Sequence, residues 1–212
     1  MPTVHNESSS TRDRLITVAA DLFGERGYRA TTVGDIEQAA GLSPRSGGFY
    51  KHFASKHSVL EAVFERWARD VEGMPEQITA LLPLEDLRAE LTVIARGVLQ
   101  VLARQRPLFQ LLARGAHEFP GLVERTHRQL VAVGYALMTV WFADQLHARG
   151  RDDVDASALA AVALAALAHY RQDEVLYGVP PGGVDETAFV DAWVSTWAAA
   201  LGDLGTGGKP AE

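Results

Sequence analysis

The sequence predicts an all-α protein with about nine helices, in which a small N-terminal helix-turn-helix unit precedes a larger helical domain. Apolar residues recur at helical spacing along the 212-residue chain, and no run alternates as a half-buried strand does. Glycine and proline fall between the periodic stretches, where helices are expected to end or begin. Hydrophobic residues make up 47% of the chain, which is enough for a substantial core.

The first two helices are predicted from capping residues as well as from periodicity. The first has apolar residues at i, i+3, i+4, i+7 and i+8, begins after Ser10 and ends at Gly27. Thr32 can cap the second, a short helix over residues 33–40. Gly41 then permits a sharp turn, because glycine tolerates positive φ.

The next two helices complete a helix-turn-helix plan. Ser43 followed by Pro44 is a favoured helix start, so we expect a third helix there, with unpaired N–H groups directed at DNA phosphates. In such a plan, the second of the two short helices enters the major groove. Lys56 opens a fourth helix, whose apolar stripe reaches Trp67.

The rest of the chain is predicted to form longer helices and to end in a disordered tail. The expected ranges are 84–103, 107–116, 120–148, 156–177 and 185–201. We expect disordered residues 1–10, a DNA-binding domain over 11–57, a ligand-binding and dimerisation domain over 58–202, and a disordered tail over 203–212.

The charge distribution leaves nucleic-acid binding open in spite of a net charge of −7. Residues 1–57 hold 7 Lys/Arg and 6 Asp/Glu, whereas the remainder holds 13 and 21. The cations of the first part cluster late, at Arg45, Lys51 and Lys56, beside His52 and His57. A local basic patch suffices for phosphate contact, although a randomly mixed surface would look the same.

Composition also limits location and chemistry. The chain has no cysteine, which excludes disulfides and thiolate zinc sites and fits a reducing compartment. The first ten residues are polar, so we expect no signal peptide. The longest apolar stretch, 154–170, is too interrupted to span a bilayer. These features predict a cytoplasmic protein that does not enter the membrane.

The segment from Gly27 to Lys56 resembles the tetracycline-repressor (TetR) family of bacterial one-component regulators. The resemblance covers about the first quarter of the chain, and the remainder is similar to the family only in helix count and order. The matching residues are Gly27-Tyr28, Ala30 to Val33, Asp35-Ile36, Ala40 to Ser43, Phe49 to Phe53 and Ser55-Lys56, preceded by Ile16, Ala19, Leu22 and Phe23.

The resemblance and the residue chemistry together give a set of expected DNA contacts. The resemblance implies that Thr32 caps its helix and touches phosphate, that Arg45 and Ser46 face base edges, and that Lys56 contacts phosphate. A hydroxyl, an ammonium and an imidazole at positions 50–52 are suitable phosphate contacts, and a guanidinium can pair with guanine. We expect Phe49 and Phe53 to lie in the core. The full DNA-binding set is Thr32, Ser43, Pro44, Arg45, Ser46, Gly47, Tyr50, Lys51, His52 and Lys56.

Two features depart from the family pattern. The stretch from Gly41 to Tyr50 is about two residues longer than is common, and it contains Gly47-Gly48. Each glycine costs a helix interior about 1 kcal/mol relative to alanine. The family also usually has a small residue where this chain has Glu37. The residues among 44–48 that meet bases are therefore not fixed by the resemblance.

The C-terminal helices offer candidates for effector binding and dimerisation. Cavities in helical bundles are lined by apolar side chains with a few polar anchors, which predicts effector contacts from Phe109, His117, Tyr135, Met138, Trp141 and Phe142. The helix over 156–177 is apolar almost all round and must be covered on every side. A second subunit would cover it, and the family's last two helices usually pair in this way, although burial within one subunit is the alternative. The expected interface residues are Leu164, Ala168, Phe189, Trp193 and Trp197.

The sequence therefore predicts a homodimeric repressor that binds a pseudo-palindromic operator and is released by a partly apolar small molecule, with no cofactor. Phosphate-binding, dinucleotide and nucleophile-elbow motifs are absent. Glu124-x-x-His127 and Asp144-x-x-His147 have metal-ligand spacing but share one predicted helix. A metal sensor using His117 or His127, or a helical metal- or small-molecule-binding protein or enzyme with a vestigial helix-turn-helix, remains the alternative.

Overall fold

The computed structural model describes residues 10–44, 47–73, 77–78, 80–115 and 118–206. These residues form nine α-helices of seven or more residues and no strand, which confirms the predicted fold class. Two 3-10 turns, Phe49–Lys51 and Pro181–Gly183, and a π-helical segment, His127–Val131, complete the helical structure. The helices are α1 (Thr11–Arg26), α2 (Val33–Ala39), α3 (Lys56–Glu72), α4 (Leu87–Arg104), α5 (Arg106–Gly115), α6 (Pro120–Thr126), α7 (Ala132–His147), α8 (Ala156–Tyr177) and α9 (Glu186–Thr206).

The chain divides into two compact units, and the division differs from the expected boundary after residue 57. The first unit contains Met1–Trp67 and Pro107–Val123, and the second contains Ala68–Arg106 and Glu124–Glu212. The first unit extends into α3 because the apolar stripe of that helix is buried there, down to Trp67. Most of α5 also belongs to the first unit, which the sequence did not indicate.

Local capping chemistry sets the helix starts of the first unit, as predicted. The Ser10 side-chain oxygen accepts a hydrogen bond from the Asp13 N–H at 3.1 Å. At α2, the Thr32 side chain accepts from the Asp35 N–H at 3.1 Å, and the Asp35 carboxylate accepts from the Thr32 N–H at 2.8 Å. The hydrogen bonds from the Thr32 side chain and backbone lower the pKa of Asp35. This reciprocal pair satisfies two N–H groups that α2 would otherwise leave without partners.

The prediction that Ser43 and Pro44 begin a helix is wrong. Both residues lie in non-helical backbone, and the helical turn of this segment is the three-residue Phe49–Lys51. Gly47 has φ +77°, a left-handed conformation that a right-handed helix cannot contain. The described residues of this stretch, 41–44 and 47–48, therefore belong to no helix.

The second unit is a helical bundle of α4, α7, α8 and α9 around one apolar core. Its α4 begins at Leu87, later than predicted, because the Asp86 carboxylate caps it by accepting from the N–H groups of Arg88 and Ala89. The predicted long helix over 120–148 is divided into α6, the π-helical segment and α7. The core is formed mainly by Leu91, Ile94, Leu99, Met138, Phe142, Leu146, Leu167, Tyr170, Val190, Trp193, Trp197 and Leu201.

The chain ends also differ in part from the expectation. The last helix runs to Thr206, past the predicted end at residue 201 and into the predicted tail. Residues 1–9 and 207–212, the rest of the two predicted tails, lie outside the described residues. Among the helices that are described, none is both long and apolar enough to cross a membrane.

Candidate nucleic-acid interface

The turn after α2 starts with a well-formed helix C-terminus. The Gly41 N–H donates to the Gln38 carbonyl at 3.1 Å, and the Leu42 N–H donates to the Glu37 carbonyl at 2.8 Å. This pair of bonds, with φ +73° at Gly41, is the Schellman arrangement. Glycine is needed here because a side chain would strain a left-handed residue. The direction in which the chain leaves α2 is therefore fixed.

Beyond this turn, one short segment presents polar groups to solvent. Ser43 and Pro44 are exposed, as are Lys51 and His52, and Tyr50 is 62% exposed. Hydroxyl, ammonium and imidazole groups thus lie side by side on the Phe49–Lys51 turn and the residue that follows it. Gly47 is half-buried, whereas Arg45 and Ser46, the predicted base contacts, lie outside the described residues.

Two buried phenylalanines anchor this exposed segment. Phe49 is fully buried and Phe53 nearly so, which confirms the prediction that both are core residues. Their ring centroids lie 5.6 Å apart, and the Arg12 guanidinium lies 5.0 Å from the centroid of the Phe53 ring. Phe49 and Phe53 lie on either side of positions 50–52. Their buried rings therefore anchor the exposed polar residues to the core of the first unit.

Glu37 makes a second anchor that sequence reasoning missed. Only 1% of its surface is exposed, and its carboxylate accepts a hydrogen bond from the Phe49 N–H at 3.0 Å. The sequence marked Glu37 solely as a departure from the family pattern. Its partner lies twelve residues away, beyond the irregular turn, so no local spacing rule could have found the contact.

Lys56 opens α3 as predicted, but its side chain turns inward. Its Nζ donates to the carbonyls of Tyr28 at 2.9 Å and Thr31 at 2.8 Å, and lies 4.2 Å from the centroid of the Tyr28 ring. Burial lowers the pKa of Lys56, and the nearby Glu118 carboxylate partly opposes this effect. In this structure the Lys56 ammonium binds two carbonyls of the α1–α2 connection and so attaches that connection to α3. It is therefore not directed at solvent, where the resemblance implied a phosphate contact.

Replacing Lys56 by methionine should therefore lower stability. The variant keeps the length of the side chain but leaves two partly buried carbonyls without their donor, at an expected cost of roughly 1–2 kcal/mol in the free energy of unfolding. Urea unfolding of the full chain measures this difference. Lys51→Met at an exposed position is the control, with an expected change within about 0.5 kcal/mol. Equal stabilities for the two variants would show that the inward contacts contribute nothing.

The second unit contains a cavity of about 570 Å³ that the predicted effector residues do not line. Its wall combines apolar side chains with guanidinium, amide and carboxylate groups. Arg171 is held in this wall, because its Nε donates to the Leu99 carbonyl at 3.1 Å and its Nη atoms pair with Glu174 and Glu186. The lining residues are Gln77, Ile78, Leu81, Val93, Arg96, Gly97, Gln100, Ala103, Arg171 and Glu186.

The structure gives the predicted effector residues other roles. Met138 and Phe142 are buried in the bundle core, and Tyr135 packs against it. The Trp141 indole N–H donates to the buried carboxylate of Glu90 at 3.1 Å. Met138, Trp141 and Phe142 do not line the cavity of the second unit, and their contact with an effector stays a prediction.

The two remaining effector candidates are placed elsewhere. Phe109 is half-buried on α5 in the first unit, and His117 lies outside the described residues.

As for the metal alternative, the described residues contain no group of three or more His, Asp or Glu side chains that could hold an ion. His147 Nδ1 is 3.0 Å from an Asp152 carboxylate oxygen, which raises the pKa of His147.

The N-terminal part of the chain is similar in sequence to known bacterial regulators. Residues 15–63 match the family model described as bacterial regulatory proteins, tetR family. The HTH-type transcriptional repressor KstR2 of Mycolicibacterium smegmatis is 41% identical over 88 residues, which are 41% of this chain and 42% of that protein. Residues 15–63 therefore form a domain similar to that of the tetR family.

Solved structures of other regulators share the fold over nearly the whole chain. The fatty acid degradation regulator FadR from Bacillus halodurans superposes with a TM-score of 0.64 at 19% identity, over 95% of this chain and 97% of that one. The ketosteroid transcriptional regulator KstR2 of Mycobacterium tuberculosis gives 0.59 at 21% identity, over 95% and 98%. The matched sequence spans less than half the length of the curated KstR2 relative.

The two tryptophans of α9, which were predicted to lie at a subunit interface, face the core of the second unit. The Trp193 indole N–H donates to the Ala163 carbonyl at 3.1 Å, and the Trp197 ring lies 5.0 Å from that of Phe142. Leu164 is buried too, so all three side chains are covered within the single chain, and their part in a subunit interface stays a prediction. Ala168 and Phe189 are half-buried, and the prediction for them is untested.

The opposite faces of α8 and α9 are exposed and carry mainly small residues. Val162, near the middle of the α8 face, is 63% exposed. Small side chains on a helix face allow a second helix to approach closely. They are Ala158, Ala161, Val162, Ala165 and Ala166 on α8, and Ala188, Ala192, Ser195, Thr196 and Ala199 on α9.

Proposed function

We propose that this chain is a DNA-binding transcriptional repressor of the TetR family that a small molecule releases from its operator in the cytoplasm. The observation that carries the proposal is the exposed polar segment at residues 50–52, which stands on two buried phenylalanines directly after a helix-turn-helix turn. The family match over residues 15–63 and the curated KstR2 repressor support the same function.

The exposed segment supplies phosphate contacts. The Tyr50 hydroxyl, the Lys51 ammonium and the His52 ring can each donate to a phosphate oxygen. Thr32 and Ser43 are exposed in the same unit and can add hydroxyl contacts. We expect the residues between Gly41 and Gly48 to recognise the base sequence of the operator, with Arg45 as the predicted base contact.

Tyr50→Phe combined with Lys51→Ala should weaken binding to every duplex by a similar factor. Removing one cation that neutralises a phosphate lowers the slope of log affinity against log salt by about 1. Fluorescence anisotropy over a salt series measures both effects. Arg128→Ala, which removes an exposed cation of the second unit paired with Glu124, is the control and should leave the slope unchanged. An unaltered slope in the double variant would remove Tyr50 and Lys51 from the interface.

The proposed repressor acts as a homodimer. Two copies would pair through the small-residue faces of α8 and α9 and present one turn segment each to successive half-sites, about 34 Å apart along the duplex. The exposure of Val162 and its alanine neighbours supports this arrangement. A two-fold symmetric dimer requires a pseudo-palindromic operator.

The effector is proposed to bind in the 570 Å³ cavity of the second unit. Ile78, Leu81 and Val93 offer apolar contact, while Arg96 and Gln100 offer hydrogen-bond donors, so the cavity suits a partly apolar molecule with a polar end. Such a molecule releases DNA only to the extent that it binds the DNA-free conformation more tightly.

A further inference from the structure

Arg12, in the first turn of α1, lies against the segment that carries the exposed polar groups. Its guanidinium carbon is 5.0 Å from the centroid of the Phe53 ring. Phe53 directly follows His52 and is 4% exposed, whereas Arg12 is exposed to solvent. The two residues are far apart in the sequence, so it is the fold that brings this cation beside residues 50–52.

The Phe53 ring holds the Arg12 guanidinium without using its hydrogen-bond donors. A cation at this distance is attracted to the face of an aromatic ring by the quadrupole of the ring. The guanidinium has five N–H donors, and none of them is bonded to an acceptor among the residues that the structure describes. Because the ring restricts where the side chain lies, less conformational entropy is lost when the guanidinium binds an anion.

The charge of Arg12 has no carboxylate partner within the described part of the chain. The carboxylate of the neighbouring residue, Asp13, accepts a hydrogen bond from the Ser10 hydroxyl at 2.6 Å instead. Lys51 also forms no ion pair with any described residue. The first unit therefore has two exposed cations, on α1 and on the Phe49–Lys51 turn, that are free to attract an external anion. A guanidinium suits phosphate, which it binds through two parallel N–H bonds.

We propose that Arg12 is a further phosphate contact, which extends the DNA-binding surface from residues 50–52 onto α1. The inference rests on the proposed DNA-binding function. The ligand is a backbone phosphate of duplex DNA, so Arg12 adds affinity for every sequence and does not distinguish bases. The Phe53 ring keeps the guanidinium in place for this contact.

The other role open to Arg12 is to shield the Phe53 ring from water. Shielding would stabilise the free protein and would leave DNA binding unchanged. A phosphate contact instead releases counterions from the duplex, which makes the affinity fall more steeply as salt rises. The salt dependence of DNA binding therefore separates the two roles.

Three variants of the full-length chain test the proposal. Arg12→Gln removes the charge, and Arg12→Lys keeps it. Arg14→Gln is the matched control, because Arg14 is also an exposed arginine of α1 but lies about 200° around the helix from Arg12. Its guanidinium donates to the Thr11 hydroxyl at 3.4 Å. Fluorescence anisotropy over a salt series, with a random-sequence duplex and with a duplex recovered by selection, gives the affinities and slopes. Circular dichroism verifies that each variant is folded.

Arg12→Gln should lower the slope of log affinity against log salt by about 1 and weaken binding to both duplexes by about tenfold at low salt. Arg12→Lys should keep the wild-type slope and an affinity within about threefold, since a lysine also neutralises a phosphate. Arg14→Gln should match the wild type on both duplexes.

A wild-type slope for Arg12→Gln overturns the inference. Equal losses of slope in Arg12→Gln and in either Arg14→Gln or Arg12→Lys also overturn it, as does a loss of affinity confined to the selected duplex. A wild-type chain that binds neither duplex overturns the proposed function and this inference with it. A lower slope in the Tyr50→Phe/Lys51→Ala variant together with an unchanged slope in Arg12→Gln overturns the inference alone.

Discussion

Replacing Val162 and Ala166 by arginine should convert the proposed dimer to monomers and lower operator affinity by about 10²–10⁴-fold. Both residues lie on the exposed small-residue face of α8, where two arginines would place bulk and charge at a close helix–helix contact. A dimer gains affinity because binding of one half-site raises the effective concentration of the second DNA-binding unit at the other. The monomer lacks this gain in affinity but keeps the fold of the single chain.

Light scattering and duplex titration measure the two parts of this prediction. Val140→Arg is the control, because Val140 is also an exposed valine, at 59%, but lies on α7 away from the proposed face. It should leave both mass and affinity unchanged. A Val162→Arg/Ala166→Arg variant that remains dimeric would show that another surface joins the subunits.

Phe142→Ala should lower the free energy of unfolding by about 3–5 kcal/mol, the usual cost of removing a buried aromatic ring. Phe142 is fully buried, and its ring lies 5.1 Å from that of Trp141 and 5.0 Å from that of Trp197. The ring thus links α7 to α9 in the core of the second unit. A residue lining a solvent-accessible effector cavity would cost much less to truncate.

Urea unfolding of the full chain, followed by tryptophan fluorescence, gives the comparison. Leu137→Ala on the same helix removes a side chain that is exposed to solvent and is expected to cost under about 1 kcal/mol. If the two variants lose equal stability, Phe142 does not have the core role that its packing indicates.

The parts of this fold that follow from local chemistry are the parts that the sequence predicted well. The cap of α2 depends on Thr32 and Asp35, three residues apart, so the pattern alone identifies it. Ser43-Pro44 has an equally good local signal but starts no helix. There the backbone contains the left-handed Gly47, and the Phe49 N–H donates a hydrogen bond to the Glu37 carboxylate, twelve positions earlier in the chain.

Which side of an apolar helix faces the core was beyond sequence reasoning. The pattern of α8 is apolar almost all round, so periodicity could not separate the buried face from the exposed one. Large aromatic residues were assigned to the subunit interface, but Trp193 and Trp197 fill the core of the chain's own bundle. The sequence did not predict the cavity of the second unit for a similar reason, because its wall joins residues from four separate parts of the chain.

The number of chains bound per operator tests the central claim most directly. Native mass spectrometry of the full chain with a duplex recovered by selection from random DNA should show two copies per pseudo-palindrome, and one copy at most on an isolated half-site. The dimeric complex should dissociate as salt rises, since phosphate contacts provide much of its affinity. No selected duplex, or a complex with a single chain on the full palindrome, would contradict the account.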